Sequence, residues 1–519
     1  MKKRAIVAVG LCLLGFLAIW LRVYAIRSDA YARLSWSSAL LTDEGFYMHN
    51  ARNLVLFGRA QIDGFSNMLI MPWLHYLQVI VFKRFGVGVV QDRWISIISS
   101  LLSLPLFWFA MDQAFGKRAA TIGTIFMALD HSWVLYNRLA LMDTPGALVL
   151  VAAWACWEYG RTNDGFKQFL GLFLCGAVLG LEYGVRGLGA LVWPAPFLAA
   201  FVIRTHDGSL RAIKLTWPIV VGLVVSLGVY VCLWWIPYHA QLARVDNYYV
   251  GYQLLPHSIR QLGHNFDSAW FYWENGLLGY LVKHTPVMVA ILVVWWIKRR
   301  KASHSNAPAY HSSVVYLGWW LVSLLAFFTV VNYSPSRYYV LMYPSLFGLA
   351  AVAADQMASC CEGARKSSMC LAFIILGWVL SNVYWYQDWL RHISYRQWQA
   401  DSWLGANLPP NSVIFGDISN GLCMNNHLLP VCVMRGLCNY HDPLARYRDR
   451  PEYVLILDGR WKERWWVKHY PGVVVDANRI HVFDKVLRKS FVLGLYKVPR
   501  GSGAKFVTNS TLRTHKIAR

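Results

Sequence analysis

The sequence predicts a polytopic α-helical membrane protein of about 11 transmembrane helices, with interfacial helices in the first outer loop and a small C-terminal α/β soluble domain. Three observations carry that class. The 519 residues are 56% hydrophobic and only 15% charged, where soluble domains hold about a quarter charged residues. The apolar residues come in long blocks. The basic residues, which give a net charge of +23, sit in short clusters between those blocks. That placement fits membrane topology and not a continuous nucleic-acid groove.

The apolar runs centre on residues 5–25, 94–111, 119–137, 142–159, 169–181, 187–203, 215–236, 278–297, 313–331, 338–354 and 369–387. The first, in "MKKRAIVAVGLCLLGFLAIWLRVYA", is long enough to span a bilayer and no small-residue cleavage site follows it. It reads as a retained helix rather than a signal peptide. With the N-terminus inside, the inner segments hold 16 Lys and Arg and the short outer segments hold five. This is the positive-inside pattern, and it places the C-terminal region outside.

In the first outer loop, residues 26–93, Phe46, Tyr47, Ala51, Leu54 and Val55 recur at helical spacing behind Asp43, and Gly58 closes the run. A second stretch, "MPWLHYLQVIVFKRFG", is too short and interrupted to span. Both read as helices lying along the outer interface. The transmembrane domain is residues 1–388. From 389 to 519 the pattern becomes short strands, "SVIFGD", "EYVLILDG" and "SFVLGLYKV", between polar turns. Cys423, Cys432 and Cys438 lie there, and two of them would pair in an oxidising compartment.

Charged residues are expensive in a bilayer, so their depth is informative. Asp43, Glu44, Asp130, Arg138, Asp143, Glu182, Arg186, His257, Lys283, His284 and Arg337 all fall at outer helix ends. Each has an ordinary reading. Asp43 and Asp143 open helices, where an acid caps and meets the helix dipole. Glu182 and Arg186 stand four apart and pair on a helix face. Arg337 with Tyr338 forms an interfacial anchor, and His257 is a solvated loop histidine. Together they suggest a site for a charged headgroup with an apolar tail. A divalent cation is left open: Asp43, Glu44, Asp143 and His257 are available to ring one, but no metal-ligand spacing marks them.

Three stretches occur in order: "TDEGFYMHNARNLVLFG", "YNRLALMDTPGALVLVAAWA" and "NYSPSRYYVLMYPSLFGLAA". In them the chain resembles the C-type glycosyltransferase superfamily, in the branch of protein O-mannosyltransferases and bacterial lipid A aminoarabinose transferases. The resemblance covers roughly residues 1–390. It implies an inverting transfer of a sugar from a polyprenyl-phosphate donor to a hydroxyl of a protein, lipid or glycan, at the outer face of a bacterial plasma membrane. By position, Asp43 matches the acid taken as general base and Glu44 its neighbour. Asp143 matches the acid of the second outer loop, and Arg337 and Tyr338 match the Arg-Tyr opening a late helix. Arg186 sits where relatives often carry a basic residue.

The chemistry suits those residue types. A carboxylate accepts the proton of an attacking hydroxyl, and guanidinium groups bind the leaving phosphate. Arg337 is the expected phosphate contact and Arg138 a second one. Two departures stand out. Ile70-Met71-Pro72 replaces the Lys-Pro-Pro of the aminoarabinose transferases, and the soluble domain is terminal rather than inserted centrally. The rival readings are a transporter or flippase of a lipid-linked or anionic solute, and a membrane-anchored binding protein. A transporter places its binding groups near the midplane in matching repeats, and no internal repeat is evident here.

Overall fold

The computed structural model describes the chain except for residues 1, 36–42, 65, 208, 247–254, 273–275, 302–307, 362, 417, 434–450, 458–471, 487–491 and 500–519. The fold begins with helices α1 (Lys2–Val23), α2 (Asp43–Phe57), α3 (Pro72–Phe85) and α4 (Val89–Phe115). There follow α5 (Lys117–Leu129), α6 (His131–Asn137), α7 (Asp143–Thr162) and α8 (Gly165–Arg186).

Six stretches among the described residues are long and apolar enough to cross a membrane: 89–115, 165–192, 212–243, 311–330, 336–359 and 365–407. A seventh forms if Leu277–His284 and Pro286–Ile297, which meet at 103°, count as one bent span. The break falls where Pro286 removes a backbone donor and crowds Thr285 out of the helical region. The expected count of about eleven full spans is not confirmed among the described residues, and at several of the expected runs local chemistry interrupts the helix or adds charge. The 119–137 run is cut at Asp130, whose extended backbone ends α5 and whose side chain accepts from the Trp133 N–H at 3.2 Å. The 142–159 run is α7, which carries Asp143, Glu158 and Arg161 and is mostly buried among its neighbours. The 187–203 run starts as a 3-10 turn, Gly187–Val192, and leaves a short apolar helix over Pro194–Ile203. The first run shows an apolar helix over Cys12–Val23.

α7 packs against α4 and α8. A Cβ on Gly171 would lie 2.8 Å from the Gly160 Cα, so only glycine lets α8 approach α7 this closely. That approach brings the end of α8 beside the start of α7.

The first outer loop folds as two helices, with the boundaries the periodicity indicates. Gly58, at φ +72°, turns the chain after α2 and donates to the Leu54 carbonyl at 3.1 Å. Their surroundings differ. α3 buries Leu74, Gln78, Val79 and Phe82 and exposes Tyr76, Leu77 and Ile80, an apolar face suited to lipid. α2 is buried on all sides from Asp43 to Asn53, so its expected interfacial placement is corrected. The C-terminal domain covers it.

That domain holds a five-stranded sheet among the described residues: β1 (Val413–Gly416), β2 (Leu429–Cys432), β3 (Pro451–Leu457), β4 (Arg479–Asp484) and β5 (Val492–Lys497). The order is β2-β1-β3-β5-β4. β1 runs parallel to β2 and β3, and β5 runs antiparallel to β3 and β4. Alternation sends Ile414 and Leu455 to the face continuous with the main core, and Phe415, Val454 and Ile456 to a second cluster. Cys423 and Cys432 are buried, and Cys438 lies outside the described residues. Asp29, just after α1, accepts from Ser394 Oγ at 2.6 Å and from the backbone N–H groups of Arg396 and Gln397 at 2.9 and 3.1 Å. It thereby caps the domain's first helix, Arg396–Asn407.

Candidate active site

The first residue of α2, the first residue of α7 and the last residue of α8 meet the 3-10 segment Ser336–Met342 at one end of the bundle. The Asp43 carboxylate stands 2.7 Å from Arg337 Nη1. Arg186 Nε donates to Asp143 Oδ1 at 2.7 Å. The Tyr338 ring touches both pairs, with the Arg186 and Arg337 guanidinium carbons 4.3 and 5.0 Å from its centre. Cations near an aromatic ring are held by its quadrupole.

Asp43, Asp143, Arg186 and Arg337 are buried and Tyr338 is half-buried, and several polar atoms of the four charged groups have no hydrogen-bond partner among the described residues. They are Arg186 Nη2, Arg337 Nε and Nη1, Asp143 Oδ2 and Asp43 Oδ2, the last two arginine and aspartate atoms meeting only as an ion pair. Buried donors without partners are costly, and two arginines offering them together are suited to a multi-oxygen anion. Burial pushes the Asp43 carboxyl up to about 6, against the pull of Arg337 and with added repulsion from Asp143 and Glu44. A carboxylate poised there accepts a proton near neutral pH better than an ordinary one.

Glu44 has a different setting. Its oxygens take Arg93 Nε at 2.7 Å and Nη2 at 2.6 Å, and the Ala140 N–H at 2.8 Å. Arg93 also donates to the Ile26 and Ser28 carbonyls. Arg138 reaches α1 rather than the cluster: it donates to the carbonyls of Leu21, Tyr24 and Ala25 and lies over Trp389. It acts as a cationic cap on that helix end. His257 stands exposed just before the helix Ile259–Phe271, its backbone N–H bonded to Gln261 Oε1, and does not join the cluster. The four residues considered for a cation do not gather, and no group of three or more metal-ligating side chains forms among the described residues.

Three neighbours were missed or misread from sequence. Arg93 sits 49 positions from Glu44, and a lone arginine opening an apolar run was its only signal. Tyr47, one turn after Asp43, is buried within the field of Asp43, Asp143 and Arg337, and burial raises its phenol well above the ordinary range. Glu182 was expected to pair with Arg186, yet Arg186 turns to Asp143. Glu182 is fully buried, with neither carboxyl oxygen hydrogen-bonded among the described residues.

Residues 71–235 match the family described as dolichyl-phosphate-mannose-protein mannosyltransferase. The structure of ArnT from Cupriavidus metallidurans bound to undecaprenyl phosphate superposes with a TM-score of 0.61, at 16% identity over 94% of this chain and 97% of that one. The fold is shared with ArnT. Apo ArnT from the same organism gives a TM-score of 0.59 at 17% identity, covering 94% of this chain and 98% of that one. The oligosaccharyltransferase AglB from Archaeoglobus fulgidus, in complex with an inhibitory peptide and a dolichol-phosphate, gives 0.53 at 12% identity over 88% of this chain and 69% of that one. No curated protein matches the sequence. The matched family region includes Arg138, Asp143 and Arg186 but neither Asp43 nor Arg337.

Proposed function

We propose that the chain is an inverting glycosyltransferase that moves a sugar from a polyprenyl-phosphate donor to a hydroxyl acceptor. The observation that carries this reading is the Asp43–Arg337 pair at 2.7 Å, in which each partner keeps a buried polar atom without a hydrogen bond. The likeness to folds solved with undecaprenyl phosphate and with a dolichol-phosphate supports the lipid-linked donor.

In this reading Asp43 accepts the proton of the acceptor hydroxyl as its oxygen attacks the anomeric carbon. The bond from that carbon to the phosphate oxygen breaks, and its electron pair leaves with the polyprenyl phosphate. Arg337 and Arg186 donate to the phosphate oxygens, where charge develops. The leaving group is already an anion, so cationic donors serve it better than a general acid. Attack opposite the leaving phosphate inverts the anomeric centre. Asp143 orients Arg186 through its 2.7 Å bond, and Tyr338 packs against both guanidinium groups. The polyprenyl tail lies against the apolar helices, and the site opens on the outer face of a bacterial plasma membrane, with the N-terminus inside and residues 389–519 outside.

The deciding experiment supplies purified protein with a polyprenyl-phosphate sugar and measures free polyprenyl phosphate. The wild type releases it in step with glycosylated product, and Asp43→Asn does not. Full transfer by Asp43→Asn would remove the central claim.

A further inference from the structure

Arg52 is an arginine buried to 1% exposure in the second half of α2, with no carboxylate in hydrogen-bond reach among the described residues. Its Nη2 donates instead to two backbone carbonyls of the C-terminal domain, Asn426 and Leu428, both at 2.6 Å. Burying a guanidinium against carbonyls alone is an expensive way to pack a helix. Near the other end of α2, Gly45 presses on the same domain. A Cβ there would fall 2.3 Å from the Asn420 carbonyl oxygen and 2.6 Å from the Gly421 nitrogen, both backbone atoms.

The segment that receives these contacts is itself fixed. Asp401, on the helix Arg396–Asn407, accepts from Asn426 Nδ2 at 2.7 Å and from Asn425 N at 2.9 Å. Gln397 Nε2 donates to the Gly421 carbonyl at 2.7 Å. Asn425 Oδ1 accepts from the Val89 N–H that opens α4, at 3.0 Å. Residues 420–428 thus form a bracket anchored on the domain and touching α2 at two points separated by about two helical turns. Two points of contact fix both the position and the tilt of a short helix.

We infer that this bracket positions the helix carrying the proposed base: Arg52 and Gly45 are positioning residues that set Asp43 against Arg337, and the C-terminal domain is part of the catalytic apparatus. The inference rests on the reading of Asp43 as base. The phosphate contacts Arg186 and Arg337 lie on α8 and on Ser336–Met342, outside the bracket, so donor binding and turnover separate.

The test uses the full chain in lipid nanodiscs. Undecaprenyl phosphate binding, the turnover rate for transfer, and amide exchange along α2, α7 and 336–342 are measured in wild type, Arg52→Met, Arg52→Lys, Gly45→Ala and Asp401→Asn. In Arg52→Met and Gly45→Ala, exchange rises in α2 alone, and undecaprenyl phosphate binds within about twofold of wild type. Turnover falls by about tenfold or more, as sub-ångström misplacement of a reacting group does. Arg52→Lys, which still donates to a carbonyl, recovers part of the loss. Turnover and α2 exchange unchanged in Arg52→Met and Gly45→Ala would overturn the inference. So would parallel loss of undecaprenyl phosphate binding with faster exchange in α7 and 336–342. If neither of those two variants yields folded protein, Asp401→Asn decides, since it loosens the bracket from outside α2; unchanged α2 exchange in it overturns the inference. A wild type that binds undecaprenyl phosphate but transfers no sugar refutes the proposed function instead, and α2 exchange still reports on the bracket.

Discussion

The two sides of the head of α2 carry adjacent acids with opposite settings. On one side Glu44 is closed in: a two-pronged arginine and a backbone N–H occupy its oxygens. On the other, Asp43 faces Arg337 as an ion pair that leaves both partners incompletely bonded. A fully satisfied buried pair holds a fold in register, whereas an unfinished one keeps capacity for a ligand. In the proposed function this difference gives Glu44 a structural role and Asp43 the chemistry, although the two are neighbours in sequence.

The largest expected effect tests that division directly. Asp43→Asn keeps the fold, measured by detergent-solubilised melting, and lowers transfer by about 10²–10⁴-fold, the usual worth of a positioned base. Glu44→Ala shows the reverse pattern. It leaves the Arg93 charge buried without an acid and destabilises the protein by about 3–5 kcal/mol, read as a fall in melting temperature. If Asp43→Asn destabilises and Glu44→Ala silences transfer, the two roles are exchanged.

Next comes Arg337→Lys, which keeps the charge but loses the planar fork, and slows transfer by about 10–100-fold through weaker phosphate contacts. The pH profile is a gentler probe. Asp43 works as a base only when ionised, and burial has raised it to about 6. Transfer at limiting substrate therefore falls as pH drops through about 6, and an acidic limb near the ordinary carboxylate value of about 4 would detach the limb from Asp43. The smallest effect belongs to α3. Ile80→Ser, on its exposed face, changes stability in detergent by under about 0.5 kcal/mol.

Much of this architecture was legible in the residues. The start of α2 at Asp43, its end at Gly58 and three of the strands follow from local pattern. β2 and β4 escaped because "LPVC" is four residues with a proline, and "RIHVFD" exposes most of its positions. The span count departs from the continuous apolar helices where single residues act: Asp130 caps a new helix, and Pro286 sits at a bend that hydropathy averages over. The site was legible in its residue types and not in its pairings. Asp43 meets Arg337, and Glu44 meets Arg93, across chain separations that no periodicity encodes. The burial of α2 depends on a domain that arrives more than 350 positions later, which is why the helix looked interfacial.

Tyr338, with the Arg186 and Arg337 guanidinium groups both against its ring, works as a gauge block. Two like charges on flexible stems would otherwise drift apart, or collapse onto whichever small anion arrived first. With one rigid ring holding both, their separation is set by where each guanidinium rests against it. In the proposed function an anion must then present oxygens at that separation to engage both arms, so the site would sort ligands by geometry as well as by charge.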